Sequence, residues 1–170
     1  MTVVTTVKFK DFIFASNPSS QANGRHNGFC SRANKTHFLN ENASRVNKSL
    51  GDLTGLTGLG VHIIEVPINA ESTEYHVHLY EDECAYVLSG SGAVTIGEET
   101  FKIKAGDFMG YRAGGLAHTM KNTGSDILKC IVIGQRLNHD ICDYPNKKQR
   151  LYRNTGQPWD LVQHEHMHKP

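Results

Sequence analysis

Between residues 61 and 133 the chain is cut into short β-prone runs by glycines and small polar turns, and no stretch there keeps a helical apolar period. Residues 61–67, 84–88, 93–96, 100–104 and 108–112 read as strands, with turns around Gly90-Ser91-Gly92, Gly97, Gly106 and Gly124. Strand and turn signals at such intervals belong to an all-β sandwich or barrel. The uninterrupted apolar run 127–133 predicts a strand buried at the centre of a sheet. No internal repeat of solenoid period is present.

Composition narrows the class further. At 170 residues the chain suits one domain. We read residues 1–170 as that domain, with a barrel core at about 50–140, a strand and loop extension over 1–49, and a tail over 141–170. Eighteen basic residues against 17 acidic ones give a formal charge of +1, so there is no electrostatic bias toward nucleic acid or an anionic membrane. Four cysteines (Cys30, Cys84, Cys130, Cys142) form no CxxC pair and no zinc spacing. With no leader-like N-terminus, free thiols point to a cytoplasmic protein.

Chemistry concentrates at Tyr75-His76-Val77-His78. In a strand, residues i and i+2 share a face about 7 Å apart, so two imidazoles can converge on one ion. Glu83 follows after a short acidic loop, and a hairpin there brings its carboxylate beside them. His118 supplies a fourth ligand. Three imidazoles and a carboxylate suit one divalent transition metal such as Zn, Mn, Fe or Ni. His62, on the strand over 61–67, is read as an outward or core residue, because the four ligands already fill the site.

These residues carry a resemblance. His76, His78, Glu83 and Gly90 match the first motif of the cupin superfamily, Gly-x5-His-x-His-x3-4-Glu-x6-Gly, with Ala70 in place of its leading glycine. Gly106, Gly114, His118 and Asn122 match the second, although Arg112 stands where proline is usual and one extra residue lies between Gly114 and His118. The chain from about Leu50 to Tyr152 resembles small single-domain bacterial cupins. Asp143-Tyr144-Pro145 is similar to a segment after the barrel in a group of which some members are labelled sugar phosphate isomerases. The resemblance implies an all-β, cupin-type barrel (a double-stranded β-helix or jelly roll) with irregular N- and C-terminal extensions. It also implies a metal in the barrel mouth and a homodimer paired through the sheets.

Three functions fit such a site: an isomerase acting on a small sugar or sugar phosphate, a metal-dependent dioxygenase, and a non-enzymatic small-molecule binder. For the first, Glu83 is the candidate base, and Arg112 the candidate clamp for an anionic substrate. Tyr75, Tyr86 and Tyr111 are nearby polar candidates.

Elsewhere signals are sparser. Residues 3–14 predict an early strand and 16–24 a loop, and the His26–Cys30 pair carries no metal site. Residues 51–60, rich in glycine, predict turns and lack a phosphate-binding signature. Beyond Asn138 the chain turns polar. Trp159 is expected to fold back and anchor the tail, and His164, His166 and His168 to lie in a flexible end.

Overall fold

The computed structural model describes residues 32–168. The strand over 3–14, the loop over 16–24, and His26 with Cys30 lie outside the described residues. The regular structure of the described chain is almost entirely antiparallel sheet. One sheet has six strands in the order β1 (Arg32–His37), β2 (Asn40–Ser49), β3 (Leu59–Val66), β10 (Leu128–Gln135), β5 (Glu83–Ser89), β8 (Phe108–Tyr111). A second has three, β7 (Glu99–Lys104), β6 (Ser91–Ile96) and β9 (His118–Lys121). A third has four, β13 (Asp160–Gln163), β12 (Gln149–Asn154), β11 (His139–Tyr144) and β4 (Val77–His78). Among the described residues no helix is long and apolar enough to cross a membrane.

The central strand is where the apolar run places it: β10 pairs with β3 on one side and β5 on the other. Period two then sorts each strand into a core end and a polar end. On β10, Leu128 and Cys130 are fully buried, while Val132 and Gly134 line a cavity. On β3, Val66 is fully buried and Gly60 and His62 line the cavity. On β5, Ala85 and Val87 are buried and Glu83 lines the cavity. The apolar ends meet Val94, Ile103 and Met120 of the three-stranded sheet in one core. The inner surface is thus packed at one end and open at the other, where β3 and β5 turn His62 and Glu83 inward and β10 offers Val132 and Gly134.

Two motif residues are structural. Gly90, between β5 and β6, has φ of +82°, and a Cβ there would lie 2.4 Å from the Ile127 carbonyl oxygen and 2.9 Å from Leu128 Cα. Only glycine fits both the left-handed backbone and that approach. Asn122 is fully buried; its amide donates to the carbonyls of Val66 and Asp126, each at 2.8 Å, and its oxygen accepts from the Gly124 N–H at 3.0 Å. It pins the turn that feeds β10.

Four features differ from the sequence reading. Residues 50–54 form a short helix, α1 (Leu50–Thr54), which Gly55 closes with φ of 74°. Glu83 reaches the site without a hairpin to the His76–His78 segment, since β4 and β5 belong to different sheets. Residues 139–163, polar in sequence, carry β11 to β13, and β11 pairs with β4 so that Cys142 sits opposite His78. Trp159 is 62% exposed, lining the cavity rim instead of anchoring the tail, while His164 Nε2 is held 2.7 Å from Asp143 Oδ1.

Candidate metal centre

The polar ends enclose a cavity of about 680 Å³. His76 and His118 are placed there by backbone pairing. The His118 N–H donates to the His76 carbonyl at 2.8 Å and the His76 N–H returns to the His118 carbonyl at 3.1 Å, so the two residues sit directly opposite. Glu83, at the start of β5, lies in register with Tyr111 of β8. The ligand atoms of His76, Glu83 and His118 all lie within 4.8 Å of one another. His78 stands outside that triangle. Its ring centroid is 5.1 Å from that of His76, and it groups instead with His76 and Cys142. The cluster draws on all three sheets: His78 from the four-stranded one, Glu83 from the six-stranded one, and His118 from the three-stranded one.

Hydrogen bonds set the tautomers. His76 Nδ1 donates to the Glu74 carbonyl at 2.8 Å, and His78 Nδ1 lies 2.6 Å from Asp140 Oδ2. Each pairing puts the ring proton on Nδ1 and leaves Nε2 as a lone pair, the arrangement in which a histidine binds a metal. His118 is 3% exposed, and among the described residues neither of its nitrogens has a hydrogen-bond partner. Its Nε2 is in polar contact with Glu83 Oε1 at 3.5 Å, too far for a good hydrogen bond. Its ring stacks on Tyr111, centroids 3.5 Å apart and planes 2° from parallel. A buried imidazole with no partner is costly unless something completes it. The donor set of imidazole nitrogens and a carboxylate fits a divalent first-row ion, which one of the unpartnered His118 nitrogens could hold.

Electrostatics favour the neutral ring of His76 and the ionised Glu83, whereas Asp140 biases His78 toward the protonated ring. Burial, reinforced by His118, drives the pKa of His76 down to about 3, so it is neutral at pH 7. Burial works to raise Glu83, but the surrounding imidazoles outweigh it and hold the carboxyl down at about 2. Burial works to lower His78, and Asp140 more than offsets it, raising the pKa above its ordinary value. Burial also pushes the Cys142 thiol up to about 12, so in the absence of a metal it is protonated.

Arg112, the residue after β8, is exposed and is not among the cavity-lining residues. Tyr111 lines the cavity, whereas Tyr75 donates to the Gly97 carbonyl at 2.9 Å and Tyr86 is absent from the lining. Three cavity residues escape the motif reading: Asp140, Cys142 and Tyr144, which alternate along β11 and are all buried. The signal was that period-two spacing, masked by the polarity of the residues that carry it. The cationic residues that do line the cavity are Lys35, Arg45, Arg136 and Arg153.

Residues 62–134 match the family model described as the cupin domain. A solved structure described as a "putative sugar phosphate isomerase", from Acidithiobacillus ferrooxidans ATCC 23270, is similar with a TM-score of 0.79 and 48% identity, covering 82% of this chain and 88% of that one. Another, described as a sugar phosphate isomerase from a cupin superfamily, from Silicibacter pomeroyi DSS-3, has a TM-score of 0.73 and 21% identity, covering 79% and 88%. At that identity the second shows the fold alone. Comparison with curated proteins gave no match.

Proposed function

This chain belongs to the cupin superfamily, and from that premise we propose that it is a metal-dependent isomerase of a small sugar or sugar phosphate. The observation that carries the reading is the triangle of His76, Glu83 and His118, with His118 unpartnered, inside a cavity large enough for a small sugar. The name carried by the relative at 48% identity supports the substrate class. We assign His76, His78, Glu83 and His118 as the ligands of one divalent ion. When bound, the ion supplies Lewis acidity toward a carbonyl or hydroxyl oxygen.

The rest falls to the chain. Asp140 fixes the His78 ring, and the Glu74 carbonyl fixes His76, so both imidazoles are preset as acceptors. Other cavity carboxylates are engaged: Glu81 accepts from the Leu137 N–H at 2.6 Å and pairs with Arg153, Asp82 accepts from the Ala113 N–H at 2.7 Å, and Asp140 faces His78. Glu83 has no such hydrogen bond among the described residues, so we assign it the proton-accepting role as well as the ligand role. Its low pKa keeps it ionised and ready to accept, though as a weak base. Tyr144, raised by burial and by Cys142, stays a neutral phenol that can donate to a substrate oxygen. The one-domain chain and the homodimer belong to the same reading.

The test is turnover of a panel of aldose and ketose phosphates by Mn(II)- or Zn(II)-loaded protein in deuterated water. Isomerisation with deuterium appearing on the substrate carbon, lost in Glu83→Gln with the ion still bound, supports it. Oxygen uptake by Fe(II)-loaded protein without isomerisation assigns a dioxygenase instead. Saturable sugar binding without either reaction assigns a binding protein.

A further inference from the structure

Among the described residues, the ionisable side chains on one wall of the cavity are all basic: Lys35, His37, Arg45 and His62. This wall comes from β1, β2 and β3, and from β1 and β2 it draws residues that precede the segment matching the cupin domain, 62–134. On β2, Ala43, Arg45 and Asn47 share the inward face by period two, and Lys35 of β1 lies in register with Arg45. The Leu39 N–H donates to His37 Nδ1 at 3.2 Å, so the His37 proton sits on Nε2 and is free to donate. His62 Nδ1 lies 3.1 Å from Ser49 Oγ and 3.3 Å from Asn47 Nδ2; with both donating there, His62 too carries its proton on Nε2. Both rings are neutral at pH 7: burial, then Arg45, lowers His37 to about 4, and burial, then Arg136, lowers His62.

Arg45 is the centre of this wall. It is half-buried, and among the described residues its guanidinium has one hydrogen bond, to the Ser72 carbonyl, and no carboxylate in salt-bridge contact. The other cavity arginines are neutralised: Arg136 by Asp52 at 2.5 Å, and Arg153 by Glu81 with Asp140 at 3.9 Å. Among the described residues no carboxylate of β1–β3 lines the cavity, and the one carboxylate whose charge acts on Arg45 is Glu83 of β5. A guanidinium out of bulk water with most of its five donors unused is stabilised by an anion that takes up the fork.

We propose that Arg45, His37 and His62, with Lys35 at the rim, form a subsite that binds the phosphate or carboxylate group of the substrate while its other end faces His76, Glu83 and His118. This rests on the cavity being the substrate site and deepens the isomerase reading by giving the anionic group its place. It replaces Arg112 as the clamp expected from sequence.

The experiment uses the full chain held metal-free with chelator, titrated with inorganic phosphate and separately with acetate. Binding is followed by calorimetry and by the ring shifts of His37 and His62. Saturable phosphate binding that moves both rings is expected, weakened about ten- to a hundredfold in Arg45→Gln, weakened less in Arg45→Lys, and unchanged in Arg112→Gln. Near-UV circular dichroism of each variant reports its fold. If Arg45→Gln misfolds, the His37 and His62 shifts of the wild type and the Arg45→Lys affinity decide. Tighter phosphate than acetate identifies a phosphate subsite, and the reverse a carboxylate subsite. No saturable binding of either anion, or an Arg45→Gln affinity equal to wild type, overturns the proposal. Loss of phosphate binding in Arg45→Gln with no sugar phosphate turnover by the wild type keeps the subsite and removes the isomerase. Turnover that Arg45→Gln leaves intact does the opposite.

Discussion

Replacing Asp140 with asparagine should cost metal affinity far more than the loss of one charge suggests. Asp140 is 2% exposed, and both its oxygens act as acceptors: Oδ2 faces His78 Nδ1 at 2.6 Å and Oδ1 accepts the Tyr80 N–H at 3.2 Å. An asparagine has one acceptor and one donor end. If its oxygen keeps Tyr80, its amide faces His78, which moves the ring proton to Nε2 and removes the lone pair that would bind the ion. If its oxygen keeps His78, donor meets donor at Tyr80 in a buried place. Partners behind a metal-bound histidine typically contribute ten- to a hundredfold in metal affinity. The short His78–Asp140 distance and this forced choice put Asp140→Asn in the upper part of that range, about 2–3 kcal/mol. Calorimetric titration of chelator-stripped protein with Zn(II) or Mn(II) measures it, with Asp140→Ala as comparison. An asparagine variant that binds the ion within twofold of wild type would refute the tautomer argument.

Gly90→Ala should lower stability by about 2–4 kcal/mol, from left-handed backbone strain and a collision with the backbone at Ile127 and Leu128, less a small gain from a stiffer unfolded chain. Thermal melting and urea titration measure this, and a loss below about 1 kcal/mol would mean that the turn relaxes easily. The metal-free protein should lose stability on acidification below about pH 6.5. His76, lowered to about 3 on folding, binds fewer protons folded than unfolded between those values, so stability rises with pH across that window at about 1.4 kcal/mol per pH unit for this group. His78, raised by Asp140 against its burial, contributes in the opposite sense, adding stability below its pKa that is lost as pH rises through it. Melting curves at pH 5 to 7 test this with His76→Asn, which should flatten the slope; equal slopes in the two proteins would contradict it.

How much of this was legible follows from which way the binary pattern points. Strands facing the packed end show the ordinary alternation: Ala85 and Val87, or the run containing Leu128 and Cys130, are apolar because they face the core. His76, Glu83 and His118 were legible from spacing, because strand pairing repeats at fixed intervals. The strands that line the polar end invert the pattern. On β11 the inward residues are Asp140, Cys142 and Tyr144, and on β2 they include Arg45 and Asn47, so both strands read as polar surface. The partner of His78 lies 62 residues downstream, a separation at which no local rule operates. Arg112 stood out because it occupies a motif position, but a motif position fixes only the backbone, and the side chain is exposed and absent from the cavity lining.

That the cluster draws on three sheets has a consequence for how the molecule comes apart. The two-residue β4 offers little backbone pairing to hold the four-stranded sheet in place, and beyond side-chain packing only a few backbone bonds, such as the His76–His118 pair, tie it to its neighbours. An ion gripped at once by His78, Glu83 and His118 would act as a keystone, because no single sheet could peel away without a ligand first letting go. Loaded protein would then owe its persistence to a slower rate of unfolding as well as to a deeper equilibrium, and its lifetime in concentrated denaturant would follow the rate of metal release.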